Sequence, residues 1–316
     1  RIMKDENELP QNRSGTVPAE SNNHKTIVFC RIAYVCFGIQ IGLGITALAG
    51  WACNFKLLAS FRSNYIPMAQ NTAIAFTVFG FSSIFLIYWH KYRPFKLFAL
   101  FTAIFTILIG LFSLFQFSTG NIFYYEYLVF GKKEFLGMVP TGVMSPVTAS
   151  AFLLAGVSYL LTLIFHSQKT YQTAASILSA IVMIIGSVVI LGYLYGTPLL
   201  YGGTTVPMAL PTAIAFVFLG TGLMVSTGTQ CWPFYPVVAP TTGIRIIRSF
   251  MPIIIAIVLV NGWLVANANM VFPLNPALMS VLLCIVFLVI SAYSISKIAK
   301  SLGNKIDRTE DNYKHA

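Results

Sequence analysis

Residues 208–220 read MALPTAIAFVFLG, and two earlier stretches of the chain follow the same pattern. Residues 68–80 read MAQNTAIAFTVFG, and residues 144–156 read MSPVTASAFLLAG. All three fit M-x-x-x-T-A-x-x-F-x-x-x-G, and three matches at five fixed positions exceed what chance produces. The pattern therefore indicates a structural unit that the chain uses at least three times.

The spacing of the copies predicts what one unit contains. The copies begin at 68, 144 and 208, and we interpret a degenerate fourth copy as beginning at Phe272, with Pro276 and Ala277 in the place of Thr-Ala. Each interval of 76 or 64 residues holds two long apolar runs. The unit is then a helical hairpin repeated four times in one orientation, unlike the inverted repeats of many transporters. The predicted hairpins cover about 27–90, 95–166, 171–228 and 246–300.

The composition places these hairpins in a membrane. Hydrophobic residues make up 57% of the 316 residues and charged residues only 9%, with a mean hydropathy of +0.77. A soluble domain has about 25% charged residues. A bilayer, unlike a soluble core, solvates this much apolar surface, in spans of about 20 residues each. The sequence therefore predicts an all-α membrane protein of about eight transmembrane helices. The apolar runs lie at 27–53, 66–89, 95–117, 143–165, 171–195, 207–228, 246–268 and 274–298.

The distribution of Lys and Arg predicts the orientation of the spans. With the N-terminus inside, 16 of the 20 Lys and Arg residues fall on the cytoplasmic side, as the positive-inside rule requires. Residues 1–26 are polar and are predicted to form a disordered cytoplasmic tail. Residues 27–300 form the transmembrane domain, and residues 301–316 a cytoplasmic linker helix or tail. Because the cations flank the spans, the net charge of +11 indicates contact with the lipid bilayer and no nucleic-acid partner.

The sequence lacks the motifs of the common enzyme classes. No predicted span contains Asp or Glu, and there is no phosphate-binding glycine loop, H-E-x-x-H helix or G-x-S-x-G elbow. The five cysteines form no C-x-x-C pair, so they predict neither a zinc site nor a disulfide framework. We therefore expect no catalytic residue, no metal and no cofactor.

The repeated residues are the first candidates for a site. They are spaced four apart, so they form a slowly drifting stripe along one helix face. The stripe is interpreted as the packing face between hairpins, since Gly allows close approach of helices in membranes. The alternative is that the stripes line a ligand cavity at the outer ends of the spans. The twelve residues are Met68, Thr72, Phe76, Gly80, Met144, Thr148, Phe152, Gly156, Met208, Thr212, Phe216 and Gly220.

Histidines and tyrosines give two weaker hypotheses. His90 and His166 follow the first two repeats at the same distance, at the cytoplasmic ends of spans, so they either cap the interface or bind a haem or metal ligand. Tyrosines in the outer loops either anchor the membrane interface or frame a binding mouth. The tyrosines proposed for the mouth are Tyr124, Tyr125, Tyr193, Tyr195 and Tyr201.

Several segments resemble the multi-span N-terminal sensor region of bacterial membrane histidine kinases and related PAS-containing signalling proteins. The first is GYLYG at 192–196, followed by the repeat at 208–216. The second is GIRIIRSFMP at 243–252, with GWL at 262–264. The third is the exit segment IAKSLGNKIDR at 298–308. The resemblance covers most of residues 30–310.

The resemblance implies a sensory input domain of a bacterial two-component system. In that family the membrane region precedes a helical linker and then PAS, kinase or cyclase modules. By resemblance, the last helix would pass a signal to a cytoplasmic output module, in a homodimer in the bacterial inner membrane with both termini cytoplasmic. Two other classes of function stay open: a transporter or channel for a small or lipid-like solute, and a structural subunit of a membrane assembly. The predicted spans contain no Asp or Glu and carry no Lys or Arg in mid-membrane, which counts against ion-coupled transport.

Overall fold

The computed structural model describes most of the first three predicted hairpins. The described residues are 19–62, 64–89, 91–120, 134–136, 139–196, 206–228 and 231–232, with helical pieces at 251–252, 254–260, 262–263, 285–289 and 292–293. The predicted spans 246–268 and 274–298 therefore lie largely outside the described residues, and so does most of the predicted fourth hairpin.

Helices dominate the described part of the chain. The helices are α1 (Ala19–Ala52), α2 (Leu57–Ser60), α3 (Gln70–Tyr88), α4 (Arg93–Thr119), α5 (Pro146–Ile164), α6 (Lys169–Leu194) and α7 (Leu210–Ser226). Five are long and apolar enough to cross a bilayer: the Val28–Ala52 part of α1, and α3, α4, α5 and α6. The α7 helix is equally apolar but has 17 residues. The predicted all-α membrane class is confirmed, and the first six predicted spans match these helices to within a few residues, except at the start of α1.

Two local features differ from the prediction. The α1 helix begins at Ala19, inside the segment predicted to be a disordered tail. A helix satisfies its own backbone hydrogen bonds, so it can continue beyond the apolar run that hydropathy detects. The outer loop contains two strands, β1 (Glu134–Leu136) and β2 (Val139–Thr141), which pair antiparallel. Strands of three residues are too short to show the alternation by which a strand is recognised.

The polarity of the helix faces is the reverse of that in a soluble protein. Large apolar side chains on α4 point outward, whereas the face of α4 that packs on other helices is small and polar. The exposed side chains are Leu97, Phe101, Ile104, Leu108, Leu111 and Phe115. The buried ones are Ala99, Thr102, Ala103, Thr106, Gly110, Ser113 and Gln116. Lipid tails solvate an outer surface of this kind, and small inward residues let the helices pack closely.

Six helices form three pairs. Pair one consists of α1 and α3, pair two of α4 and α5, and pair three of α6 and α7. The second helix of each pair packs against the first helix of the next pair, so α3 contacts α4 and α5 contacts α6. The α7 helix packs against α1, which closes the arrangement into a ring. The second helices, α3, α5 and α7, meet around the axis of this ring, and the first helices lie outside them.

Candidate functional site

Glycines hold the two helices of each pair together. In pair three, a Cβ atom on Gly220 of α7 would lie 2.7 Å from both the Ser179 carbonyl oxygen and the Met183 amide nitrogen of α6. A Cβ atom on Gly186 of α6 would lie 2.6 Å from the Ala213 carbonyl oxygen of α7. Each helix therefore presents a glycine to the backbone of the other, and any larger residue would separate the two backbones.

The same reciprocal arrangement occurs in the other two pairs. The glycine on the second helix faces a carbonyl group of the first helix, and the glycine on the first helix faces the Ala of the repeated Thr-Ala. The contacts are Gly80 to Phe37 and Gly44 to Ala73 in pair one, and Gly156 to Ala103 and Gly110 to Ala149 in pair two. The sequence stripe contains only one glycine of each pair. Gly44, Gly110 and Gly186 could have been found by comparing the first helices with one another.

The repeated phenylalanines meet on the ring axis. Phe76, Phe152 and Phe216 are fully buried, and each ring centroid lies 4.8 Å from the other two. The rings are tilted or edge-to-face, which are favourable arrangements for aromatic pairs. This phenylalanine layer fills the space between α3, α5 and α7. The drift of the stripe explains why these residues face the axis, whereas the glycines one turn later face the first helix of their own pair.

The repeated methionines lie just before the helices. Met68, Met144 and Met208 are buried in extended segments that precede α3, α5 and α7, so the helical part of the stripe begins at Thr72, Thr148 and Thr212, which are also buried. The extended Met segments correct the prediction of a continuous helical stripe. Proline at the first or second position starts α5 and α7 after the methionine.

Aromatic side chains fix two of these extended segments. The indole Nε1 of Trp51 donates a hydrogen bond to the Met68 carbonyl oxygen at 2.8 Å. The hydroxyl of Tyr193 donates to the Met208 carbonyl oxygen, also at 2.8 Å, and its ring lies 4.9 Å from that of Tyr65. Tyr193 therefore packs into the interior and does not line an open mouth. These bonds satisfy backbone groups that an extended segment would otherwise leave unpaired in a membrane.

Pair one carries two polar residues at positions where the other pairs have Pro146-Val147 and Leu210-Pro211. Gln70 and Asn71 begin α3, and both are buried. Both side-chain polar atoms of Gln70, and the Nδ2 of Asn71, have no hydrogen-bond partner among the described residues. A buried unpaired amide costs free energy, so these groups mark the end of the axis near Met68 as chemically distinct.

A cavity of about 460 Å³ lies at the other end of the axis, at the carboxyl ends of α3, α5 and α7. Its lining differs from pair to pair at equivalent positions. At the position three residues after the repeat glycine, α3, α5 and α7 carry Ser83, Tyr159 and Leu223, respectively. At the position six residues after it, they carry Leu86, Thr162 and Ser226. Phe37 of α1 and the first turns of α4 complete the wall. The alternative interpretation of the stripes places a ligand cavity at the outer ends of the spans, whereas on the predicted topology this cavity lies at the cytoplasmic end.

Polar groups occupy two levels of the cavity. Deep in the wall, the Tyr159 hydroxyl lies 3.2 Å from the Ser82 hydroxyl, which joins α5 to α3. The neighbouring Ser83 hydroxyl is also buried, and the Tyr159 hydroxyl interacts with both serines. At the rim, the exposed side chains of Lys96 and His166 line the opening. The cavity is thus an apolar space with hydroxyl groups inside and cationic or hydrogen-bonding groups at its entrance.

The remaining candidate residues fall in different places. His166 lies at the cavity rim, whereas His90 is outside the described residues. The Tyr195 hydroxyl donates to the Leu259 carbonyl oxygen at 3.3 Å. Tyr124, Tyr125 and Tyr201 lie outside the described residues. Within the part of the chain that the structure describes, no group of three or more His, Cys, Asp or Glu residues could hold a metal ion.

Comparison of the chain with protein-family models, with curated proteins and with solved structures gave no match. Arguments about function therefore rest on the residues and the geometry described above.

Proposed function

We propose that the chain is a sensory input domain embedded in the bacterial inner membrane, which passes a signal to a cytoplasmic output module of the histidine-kinase type. The observation that carries this proposal is the cavity at the carboxyl ends of α3, α5 and α7, about two helical turns from the packed phenylalanine layer. A cavity that ends before a packed aromatic layer suits binding, whereas a channel needs a continuous path. The resemblance to membrane sensor regions supports the same class.

In this proposal the domain has eight spans, and the fourth hairpin lies outside the ring. Because α7 contacts α1, no gap remains between them for another hairpin. Two contacts support a peripheral position: the bond from Tyr195 to Leu259, and the close approach of Gly262 to the Tyr195 ring at the end of α6. The seventh span would then pack on pair three, and the eighth would lead to the output module in a homodimer.

Signalling would use two packings of the helices around the cavity. A bound molecule contacts α3, α4, α5 and α7 together, so it favours whichever packing fits it better. Small shifts of packed helices are a common way to carry such a change to a distant segment. The peripheral fourth hairpin would move with pair three, because it contacts the end of α6.

A fusion of residues 1–316 to a reporter histidine kinase tests this proposal. Thr162→Trp, which fills the cavity, should lock kinase output at one level under stimuli that change the output of the parent fusion. Val188→Trp, on the lipid-facing surface of α6, should leave the response intact. If kinase output never depends on the membrane region under any stimulus screened, the sensory role is wrong.

The orientation is tested by cysteine labelling. With both termini cytoplasmic, Lys132→Cys and Gly202→Cys should react with an impermeant thiol reagent added outside intact cells. Arg93→Cys and Arg245→Cys should not. Labelling of Arg245→Cys from outside would mean that the number of spans is wrong.

The alternative is a transporter for a small or lipid-like solute, with the cavity as its inward-open binding site. In that case the phenylalanine layer would be the closed gate, and Phe152→Ala should raise solute flux into proteoliposomes. A sensory domain predicts no flux for either form.

A further inference from the structure

The chemistry of the axial cavity indicates what it binds. Its volume of about 460 Å³ falls in the usual range for small-molecule pockets, about 300–1,000 Å³. Leu86, Leu100, Leu163 and Leu223 make most of its wall apolar, so the interior suits a hydrocarbon chain. The buried Ser83 hydroxyl adds a polar group to this lining.

The rim carries charge of one sign. Lys96 and His166 line the opening from α4 and from the end of α5, and the described lining residues include no Asp or Glu. The nearby Lys91 and Arg93 are also exposed. An anionic group at the rim would therefore meet cations and hydrogen-bond donors, with no carboxylate to repel it.

We propose that this cavity binds a single-chain anionic amphiphile, with its acidic head group at Lys96 and His166 and its acyl chain between α3, α5 and α7. The proposal names the ligand class for the cavity on which the proposed function rests. A carboxylate and a phosphate head group share the relevant chemistry, so fatty acids and monoalkyl phosphates are both members of the class. A neutral chain lacks the head-group contact, and an inorganic anion lacks the chain.

Binding is measured on the full chain in nanodiscs of phosphatidylcholine, with radiolabelled palmitate as the probe and protein-free nanodiscs as the baseline. Because the assay measures ligand binding and not signalling output, failure here would not by itself disprove a sensory role. The expected result is saturable binding above the baseline at one site per chain. Hexadecyl phosphate should compete with palmitate, whereas hexadecanol and inorganic phosphate should not.

Two kinds of variant locate the site. Lys96→Gln should raise the Kd for palmitate about two- to fivefold, a range typical of losing one exposed charge contact. Lys169→Gln removes an exposed lysine from the same side of the membrane but outside the cavity lining, so it should leave the Kd unchanged. Thr162→Trp and Ser226→Trp fill the cavity from different helices and should abolish saturable binding. Val188→Trp is the matched control on the lipid-facing surface.

Melting temperatures show whether Thr162→Trp and Ser226→Trp remain folded. Palmitate binding is compared only among the variants that do. Palmitate binding that is unsaturable, or that survives in folded Thr162→Trp and Ser226→Trp, would overturn the site. Equal competition by hexadecanol would overturn the requirement for an anionic head. A larger effect from Lys169→Gln than from Lys96→Gln would overturn the placement of the head group.

Discussion

The interfaces inside the three helix pairs are alike, whereas the residues around the axial cavity differ from pair to pair. Every pair uses two reciprocal glycines, each set against the backbone of the partner helix. At the cavity, equivalent positions carry a serine, a tyrosine and a leucine, at Ser83, Tyr159 and Leu223. The phenylalanine layer lies between these two kinds of region and is the same in all three pairs.

The contrast separates what folding requires from what the cavity requires. Close helix packing in a bilayer depends on small residues at fixed positions, so the same solution recurs wherever a pair forms. A binding cavity needs different groups on different sides, and the three copies of a repeat can supply them only by diverging. The four predictions that follow test this division, and they run from the largest expected effect to the smallest.

The phenylalanine layer should give the largest loss of stability. Phe76→Ala removes a fully buried ring that contacts two others, and such changes cost about 3–5 kcal/mol in soluble cores. Lipid is as apolar as the core, so the loss here is mainly one of packing, and we expect about 3 kcal/mol. Phe101→Ala, at an exposed position on α4, should cost little. Unfolding in detergent measures both, and equal losses would contradict a packed layer on the axis.

Substitutions at the glycines of the pair interfaces should give the next largest loss of stability. In Gly220→Ala, the new Cβ meets two backbone atoms of α6 that cannot rotate away, and overpacking typically costs about 1–3 kcal/mol. Gly38→Ala on α1 is the matched control, because nothing lies within 4 Å of its Cβ and alanine favours the helix. Melting temperature should fall for the first variant and hold or rise for the second.

The three interfaces can also be ranked. At Gly80 the new Cβ collides chiefly with the Ile41 side chain, which can move. At Gly156 it meets the Ile107 and Thr106 side chains. Alanine should therefore cost most at Gly220, less at Gly156 and least at Gly80. A larger loss at Gly80 than at Gly220 would show that the glycine contacts do not control pair stability.

Removing the hydrogen bond beside the cavity should give the smallest loss of stability. Ser82→Ala and Tyr159→Phe each remove the bond between α3 and α5, and such bonds in membranes contribute about 0.6 kcal/mol on average. A double-mutant cycle on unfolding free energies should give a coupling of that size. Tyr88→Phe, at an exposed site, should change nothing. Absence of coupling would mean that this bond does not join the two pairs.

The sequence predicted the helices well because hydropathy and chain order determine where spans lie. The repeat pattern contains the phenylalanines that meet at the phenylalanine layer and one glycine of each pair. It does not show where a cavity lies, since neither spacing nor composition shows where packed helices separate. Hydropathy also cannot distinguish a lipid-facing valine from a packed one: Val225 of α7 is buried, whereas Val188 of α6 is exposed.

The sequence could not predict the closure of the helix pairs into a ring, for a similar reason. A row of parallel hairpins and a closed ring have the same apolar runs and the same repeat. They differ in whether α7 meets α1, which depends on the angle between successive pairs. Here Gly222 of α7 lies against the Phe37 ring of α1, and a Cβ atom on Gly222 would be 2.8 Å from that ring. No local pattern predicts a contact between residues so far apart in the chain.

Cross-linking α1 to α7 tests the closed ring most directly. In a chain whose five native cysteines are replaced by alanine, Phe37→Cys and Gly222→Cys are combined, and the removed ring leaves room for the new side chain. A short bifunctional thiol reagent should then link the two helices within one chain, as it should link Ser82→Cys to Tyr159→Cys. Phe37→Cys with Leu108→Cys, on the lipid-facing side of α4, should stay unlinked. Linkage of the Ser82–Tyr159 pair without linkage of the Phe37–Gly222 pair would show that the three pairs do not close into a ring.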